Sequence, residues 1–490
     1  MSSQHIAIDL GADSGRVVLG TLDRGVFELT VVHRFVNTPV RIDGLLRWDL
    51  PALWDGIRTG IRLAREQATG PVASIGVDTW GVDYALLDEA GTLLDPPVHY
   101  RDERNLAMPE RAYRIVPETE FFHRTGIRGL VFNTAFQLLA EQAQRPELLA
   151  RAHRLLAFTD LLGFWLSGTM ANEWSQAGTT GLAIAGRPEW DDELIARLGL
   201  PRHIFGPIVH SGAVLGPLQH ALASELEFTG ELPVVIAPGC HDTASSVAAM
   251  PTADPGAAFI SCGTWSLMGV LSPVPVTSDA ALLGQFSNEI AVDGRIRLLR
   301  NIMGLWVWQE CRRDLVAEGV ELSHAELTSL SAAAAPASTV IDINDLEFLP
   351  QSQPHDRMID RVRRHSARRN LAASAPGDLF RRITEALAAA YADCRRGLER
   401  ITGTPVTTIS LMGGGCQNLL LCQLTANACG LPVLAGPAEG TALGNLLVQA
   451  RSLGLVAGTD LASTAARSSL IERYAPLARC AVATPSTTSA

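Results

Sequence analysis

The stretch that decides the fold is IAIDLGADSGRVVLG, residues 6–20. Ile6 to Leu10 reads as a strand, Gly11 to Gly15 is turn chemistry, and Arg16 to Gly20 resumes a strand. The result is a β-hairpin whose tip carries only small, polar or acidic residues. A second hairpin of the same kind lies about halfway along the chain. Ala257 to Ser261 is its first strand, Cys262-Gly-Thr264 its tip, and Trp265 to Gly269 its return. Two such hairpins half a chain apart predict a duplicated architecture with one α/β domain in each half. A third apolar–polar unit, SIGVDTWGVDY (74–84), reads as strand, loop, strand, with Asp78 and Asp83 as turn or pocket residues.

The chain of 490 residues is too long for one core, which independently predicts two or more domains. A hydrophobic content of 47% against 19% charged residues is that of an ordinary globular protein. MSSQHIAIDLG has no basic leader region, and no stretch reaches the apolar length of a membrane helix, so the expected location is cytoplasmic. A net charge of −11 argues against nucleic acid or an anionic membrane as partner. One local exception is RMIDRVRRHSARR (357–369), where Arg357, Arg361, Arg364 and Arg368 recur at helical spacing. It reads as a solvated helix face or as a binding patch.

Lysine is absent: all 40 cationic side chains are arginine. That excludes a Walker A loop and a pyridoxal Schiff base, both of which need a lysine. If this chain uses ATP, its phosphates must be held by backbone N–H groups, hydroxyls, Mg²⁺ and arginine. The eight cysteines form no C-x-x-C pair and no zinc spacing, which predicts reduced, mostly buried thiols.

Further along, Leu379, Phe380, Ile383, Leu387, Tyr391, Cys394, Leu398 and Ile401 recur at three- and four-residue steps, an amphipathic helix. Pro405 to Leu411 follows as a strand, then Gly413-Gly-Gly415, then a helix from Asn418 to Cys429 closed by Gly430. Leu431 to Leu434 is a short strand, and the segment 436–444 opens another helix. A glycine-rich turn between strand and helix lets backbone approach a ligand and aims N–H groups at it.

Two hairpin tips facing one cleft would form a phosphate clamp. Ser14 and Thr264 can donate hydrogen bonds, Arg16 can neutralise charge on a transferring phosphoryl group, and Asp9 can hold Mg²⁺ directly or through water. The segment PGCHDTASS (238–246) sets a His-Asp-Thr triplet between an apolar run and a small-residue run. Asp242 there reads two ways. It is a helix N-cap, or it is the carboxylate that accepts a proton from a sugar hydroxyl during phosphoryl transfer. His241 reads as a core histidine or as a substrate contact.

Taken together, DLGADSGR (9–16), GVDTWGVD (76–83), HDTASS (241–246), SCGTWSLMG (261–269), NIMGLW (301–306) and MGGGCQN (412–418) resemble the FGGY carbohydrate kinases, in family order and over nearly the whole chain. The resemblance implies an α/β fold of two actin-like, ribonuclease-H-like domains with the active site in an interdomain cleft. It implies transfer of the ATP γ-phosphate, with Mg²⁺, to the 1-hydroxyl of L-rhamnulose, a step of rhamnose catabolism. It carries the proton-acceptor role to Asp242, and sugar contacts to Gly81, His241, Asp242, Thr243 and Asn301. It carries nucleotide contacts to Ala12, Asp13, Ser14, Gly15 and Arg16, and to Thr264, Gln309 and Gly414. At a helix start, the helix dipole would hold the Asp242 carboxylate ionised.

The expected division is 1–245 for a sugar-binding domain, 246–480 for a nucleotide-binding domain, and 481–490 for a frayed tail. Two positions depart from the family pattern. Asp13 stands where a small or hydroxyl residue is usual, and Thr425 stands where relatives can carry the first cysteine of a Cys-x-x-x-Cys pair. Arg101 and Asp102 fall where related kinases place polar sugar contacts, or form a surface ion pair. Trp80, Trp265 and Trp306 read as pocket walls or as core packing. Three alternatives stand beside the leading reading: a kinase of fuculose or xylulose, an actin-like ATPase that uses water as nucleophile, and a sugar sensor without turnover.

Overall fold

A computed structural model describes residues 2–349 and 356–477; the expected tail at 481–490, and Cys480, lie outside them. The chain divides into two compact units that interleave along the sequence. The first holds Met1–Ala249, Leu271–Leu298 and Gly440–Ser468; the second holds Met250–Val270, Leu299–Glu439 and Ser469–Ala490. A single cut near residue 245 therefore differs from the division by packing. Residues 246–249, 271–298 and 440–468 lie downstream of that cut yet belong to the first unit, because the apolar side of the Gly440–Ser452 helix buries Leu443, Leu446 and Leu447 against Ala7, Val18 and Leu22 of the first hairpin.

In the first unit the sheet runs in the order Ala213–Pro217, Val234–Ala237, Val72–Thr79, Ser3–Leu10, Ser14–Asp23, Val26–Val36. The first hairpin forms as the sequence predicts: Ser3–Leu10 and Ser14–Asp23 pair antiparallel, with Asp9 opposite Arg16. Gly11 N–H closes the tip onto the Ser14 carbonyl at 2.8 Å. The strands Ser3–Leu10, Val72–Thr79 and Val234–Ala237 are mutually parallel neighbours. Their C-terminal ends thus lie along one sheet edge, where ligands bind in open α/β sheets.

The second unit repeats this plan. Ala257–Cys262 pairs antiparallel with Trp265–Ser272 and parallel with Thr408–Met412, which pairs parallel with Val433–Ala435. The strand Ile296–Met303 lies on the far side of Trp265–Ser272. Hairpin, third strand, then two parallel strands is the same order in both units, so the duplication read from the two hairpins is present in the sheets. The long amphipathic helix spans Pro376–Thr402, and Gly403 ends it in the left-handed conformation. Asn418 caps the helix Leu419–Cys429, and Gly430 closes it as expected.

The arginine cluster resolves into ion pairs within the second unit. Arg357 meets Glu318 and Asp360, Arg361 and Arg364 meet Asp356, and Arg368 approaches Glu347. Arg361 is buried. Of the acidic partners, Asp360 lies on the same helix, while Asp356, Glu318 and Glu347 lie outside it, where a periodicity argument on the arginines does not find them.

Among the described residues no helix is long and apolar enough to cross a membrane. The cysteines among them are free thiols, all buried except the half-buried Cys416.

Candidate active site

Three carboxylates come from the ends of the three parallel strands of the first unit. Asp9 and Asp78 are partners in the parallel register. Asp242 follows the third strand, after the tight turn Pro238-Gly-Cys-His241. The Asp9 carboxylate accepts from Arg16 Nε at 2.8 Å and lies 2.7 Å from Arg16 Nη2. Asp78 is buried and accepts from Asn445 Nδ2 at 2.6 Å through Oδ2, whereas its Oδ1 is buried with no hydrogen-bond partner.

His241, not Asp242, is the N-cap residue of the helix Asp242–Ala248, and no side chain caps that end. The N-cap reading of Asp242 is therefore not realised. Its carboxylate instead accepts from Thr243 Oγ1 at 3.0 Å and leaves 34% of its side chain accessible. Burial first, and the Asp9 carboxylate second, push Asp242 up to about 7. The expectation that the helix dipole keeps this group firmly ionised is corrected: desolvation and a like charge outweigh a terminus worth at most about 2 kcal/mol. A carboxylate titrating near neutrality is suited to accept a proton. Asp78 is raised well above the usual carboxylate range by the same two causes in the same order.

Fixed contacts hold the triplet in place. His241 N–H donates to Ser175 Oγ at 3.0 Å, and Thr79 N–H donates to the Cys240 carbonyl at 2.9 Å. Gln176 Nε2 donates to the Cys240 carbonyl at 3.0 Å and to Thr159 Oγ1 at 2.9 Å. The His241 ring lies against Gly81, where a Cβ would stand 2.8 Å from Cδ2 and 3.0 Å from Nε2. A glycine is required there by packing, which brings together two residues that the sequence could only name separately.

Beside Gly81, Val82 holds φ +72°, a conformation a β-branched residue rarely adopts. Both sides of its peptide are anchored. Val82 N–H donates to Thr179 Oγ1 at 3.3 Å, and its carbonyl accepts from Thr134 Oγ1 at 2.6 Å. Asp83 accepts from Trp48 Nε1 at 2.6 Å, Trp80 Nε1 at 2.9 Å and Gln137 Nε2 at 3.1 Å. Trp80 stacks 4.0 Å from Trp48 and is 7% exposed, so this tryptophan is core packing that braces the loop. Thr134, Gln137, Gln176 and Thr179 carry no motif of their own, and sequence reading missed them.

Asp102 accepts from Leu46 N–H at 2.7 Å and from Arg104 N–H at 3.0 Å, capping a short 3₁₀ turn. Both of its oxygens serve backbone, and the Arg101 guanidinium lies over the Tyr100 ring at 5.1 Å.

Of the candidate nucleotide contacts, Ala12 and Asp13 lie in the tip of the first hairpin, and Ser14 to Arg16 open its second strand. Gly15 is required there, since a Cβ would meet the Phe35 ring at 2.4 Å. Asp13 turns its carbonyl to Asn37 N–H at 3.1 Å. Thr264, Gln309 and Gly414 belong to the second unit. Thr264 sits at the second tip, and its carbonyl accepts from Trp306 N–H at 3.1 Å. Gly304 packs so closely on that tip that a Cβ would stand 2.4 Å from the Trp265 backbone. Gly413 and Gly415 lie against Cys262, while Gly414 is exposed with open space around it. The tip and the glycine turn are thus one assembly with a bare backbone face. Asn301, on the strand Ile296–Met303, has a buried Oδ1 with no hydrogen-bond partner.

Residues 4–249 match the model of the FGGY family of carbohydrate kinases, N-terminal domain, and residues 258–453 match that of its C-terminal domain. The chain belongs to the FGGY family of carbohydrate kinases. It is an ATP-dependent sugar kinase with the two-domain fold of that family. The kinase is 38% identical over 466 residues to a rhamnulokinase of Klebsiella pneumoniae (strain 342), covering 94% of this chain and 92% of that one. A rhamnulokinase of Enterobacter sp. (strain 638) is 37% identical over 463 residues, with the same coverage of 94% and 92%. Among solved structures, a xylulose kinase from Lactobacillus acidophilus superposes with a TM-score of 0.78 at 16% identity, covering 97% of this chain and 94% of that one. A glycerol kinase from Plasmodium falciparum with ADP gives 0.74 at 15%, covering 96% and 94%. At such identities the structural likeness speaks for the fold.

Proposed function

We propose that this kinase transfers the γ-phosphate of ATP to the 1-hydroxyl of L-rhamnulose, with Asp242 as the group that accepts the hydroxyl proton. The observation that carries the reading is the Asp242 carboxylate. It stands at the C-terminal edge of the parallel strands, is partly accessible, is aligned by Thr243 and titrates near neutrality. Gly81, His241 and Thr243 of the first unit, with Asn301, bind the sugar. Residues 12–16, Thr264, Gln309 and Gly414 bind the nucleotide. In this reading residues 1–245 chiefly serve the sugar and 246–480 the nucleotide. The substrate is taken from the rhamnulokinases, whose identity extends over nearly the whole chain.

A divalent cation such as Mg²⁺ fits the donor set. Asp9 and Asp78 stand side by side, and Asp78 keeps one buried oxygen without a hydrogen bond. When bound, the cation supplies positive charge to the phosphates. The chain's own residues do the rest. Arg16 balances Asp9, glycine tips let backbone N–H groups approach phosphate oxygens, and Asp242 takes the proton as the sugar oxygen attacks phosphorus. The free thiols among the described residues favour a reducing, cytoplasmic compartment.

ADP release measured with ATP and Mg²⁺ against a panel of ketoses tests the substrate. The expected result is a higher kcat/KM for L-rhamnulose than for L-fuculose or xylulose; a preference for either of those overturns the substrate assignment.

The pH profile tests the base. Asp242 is raised toward 7, so its ionised fraction falls as pH drops through that value. The kcat/KM for the sugar should fall with it, about tenfold per pH unit on the acid side. Asp9 is the second cause of the shift, so Asp9→Asn should move the acid limb to lower pH even as it reduces activity. An acid limb unmoved by that substitution counts against the coupling.

A further inference from the structure

Arg297 is fully buried in the first unit, at 0% exposure, and none of the motifs quoted above contains it. Its Nε donates to the Ile290 carbonyl at 3.0 Å, and its Nη2 lies 3.1 Å from Glu289 Oε2. The same Nη2 lies 3.3 Å from His241 Nδ1. A guanidinium only donates, so Nδ1 must be the unprotonated, accepting nitrogen of that ring. Glu289 Oε2 is 3.7 Å from Nδ1, too far to accept a proton from it. The ring proton then sits on Nε2, on the side of Asp242 Oδ1, which is 3.9 Å away. Burial and the Arg297 charge, in that order, hold His241 well below its ordinary pKa, so the ring is neutral. Gly81 packs beside this edge without crowding it, since an added Cβ would stand only 3.0 Å from Nε2.

We infer that Arg297, held by Glu289, is a positioning residue: it locks His241 as the Nε2–H tautomer and so makes it a hydrogen-bond donor to an oxygen of the sugar. The inference rests on the sugar site proposed above and adds its polarity. The sugar oxygen at His241 must accept, which leaves its own proton free to be directed to another acceptor. A role on a substrate-contacting ring also explains why a full positive charge is buried here beside a carboxylate.

The first test reads the tautomer without substrate. Histidine-selective ¹⁵N labelling, with His241→Gln to assign the signal, should show at pH 7 one protonated Nε2 and one unprotonated Nδ1 at His241. A proton on Nδ1, or on both nitrogens, overturns the proposal. The second test reads its consequence. Arg297→Met alone would leave Glu289 buried and unpaired, so Arg297→Met with Glu289→Leu is the variant of choice. It should raise the KM of the sugar about tenfold, the value of one neutral hydrogen bond, with the KM of ATP unchanged. Arg297→Lys, which restores a buried donor, should recover most of that loss. Equal KM values for sugar in parent and double variant overturn the positioning role, as does a parallel rise in the KM of ATP. If another ketose proves to be the substrate, the tautomer result stands and the KM effect appears on that ketose. The two failures are thereby told apart.

Discussion

Asp242→Asn is expected to lower kcat about a thousandfold while leaving the KM values of sugar and ATP within a few-fold of the parent. The carboxamide has the same shape, and its oxygen can still accept from Thr243 Oγ1, which bonds Asp242 at 3.0 Å. The helix start at Asp242 does not rely on this side chain, because no side-chain cap is present there. Folding should therefore be kept. What disappears is the ability to take a proton, a contribution of about a hundred- to ten-thousandfold for a positioned general base. The remaining rate would come from alignment of the reactants and from charge stabilisation around the phosphates, which this substitution leaves in place. Removing one of three clustered carboxylates also relieves repulsion at Asp78, whose elevation includes Asp242 among its causes. A weaker grip on the nucleotide is thus not expected, and the loss should fall on kcat. Initial rates of ADP release at saturating L-rhamnulose give the answer. A variant within tenfold of the parent would remove Asp242 from the proton-transfer step.

Local turn chemistry made the two hairpins and the glycine turns legible, because small residues between alternating apolar runs have few other uses. The strand ends carrying Asp9 and Asp78 were legible for the same reason. What escaped the sequence depends on neighbours distant along the chain. Asp242 misreads as a cap because a Ser/Thr-rich helix start suits one, yet backbone geometry gives the cap position to His241. The dipole argument fails because burial, and after it the charge of Asp9 more than two hundred residues away, outweigh the helix terminus. Trp80 reads equally as pocket wall or core until its indole N–H is found on Asp83 beside Trp48. Arg297 offers no periodic or spacing signal at all; only its distance to His241 reveals what it does. The interleaving of the two units is invisible to composition, since the Gly440–Ser452 helix shows no sign of its partner until it meets the first hairpin.

That helix also bears on the chemistry, through one atom that is missing. Gly444 lies against the backbone of the Asp242–Ala248 helix so closely that an added Cβ would stand 1.7 Å from the Ser245 carbonyl oxygen. The obstacle is backbone, so no rotamer change can relieve it, and the two helices must separate. Alanine is the better helix former by about 1 kcal/mol, which partly offsets the strain. Overpacking of this kind costs about 3 kcal/mol or more when nothing can yield. Gly444→Ala should therefore lose about 2 kcal/mol net and lower Tm by about 3 °C for a unit of this size. The helix that moves is the one that begins at Asp242, and a displacement near 1 Å at a reacting group can cost about a hundredfold in rate. Asn445, the next residue, donates to Asp78 at 2.6 Å, so the second carboxylate shifts with the first. Calorimetry and kcat on the same preparation should both fall, with kcat reduced at temperatures well below the transition. A Tm and a kcat equal to those of the parent would show that this helix pair does not set the position of the proton acceptor.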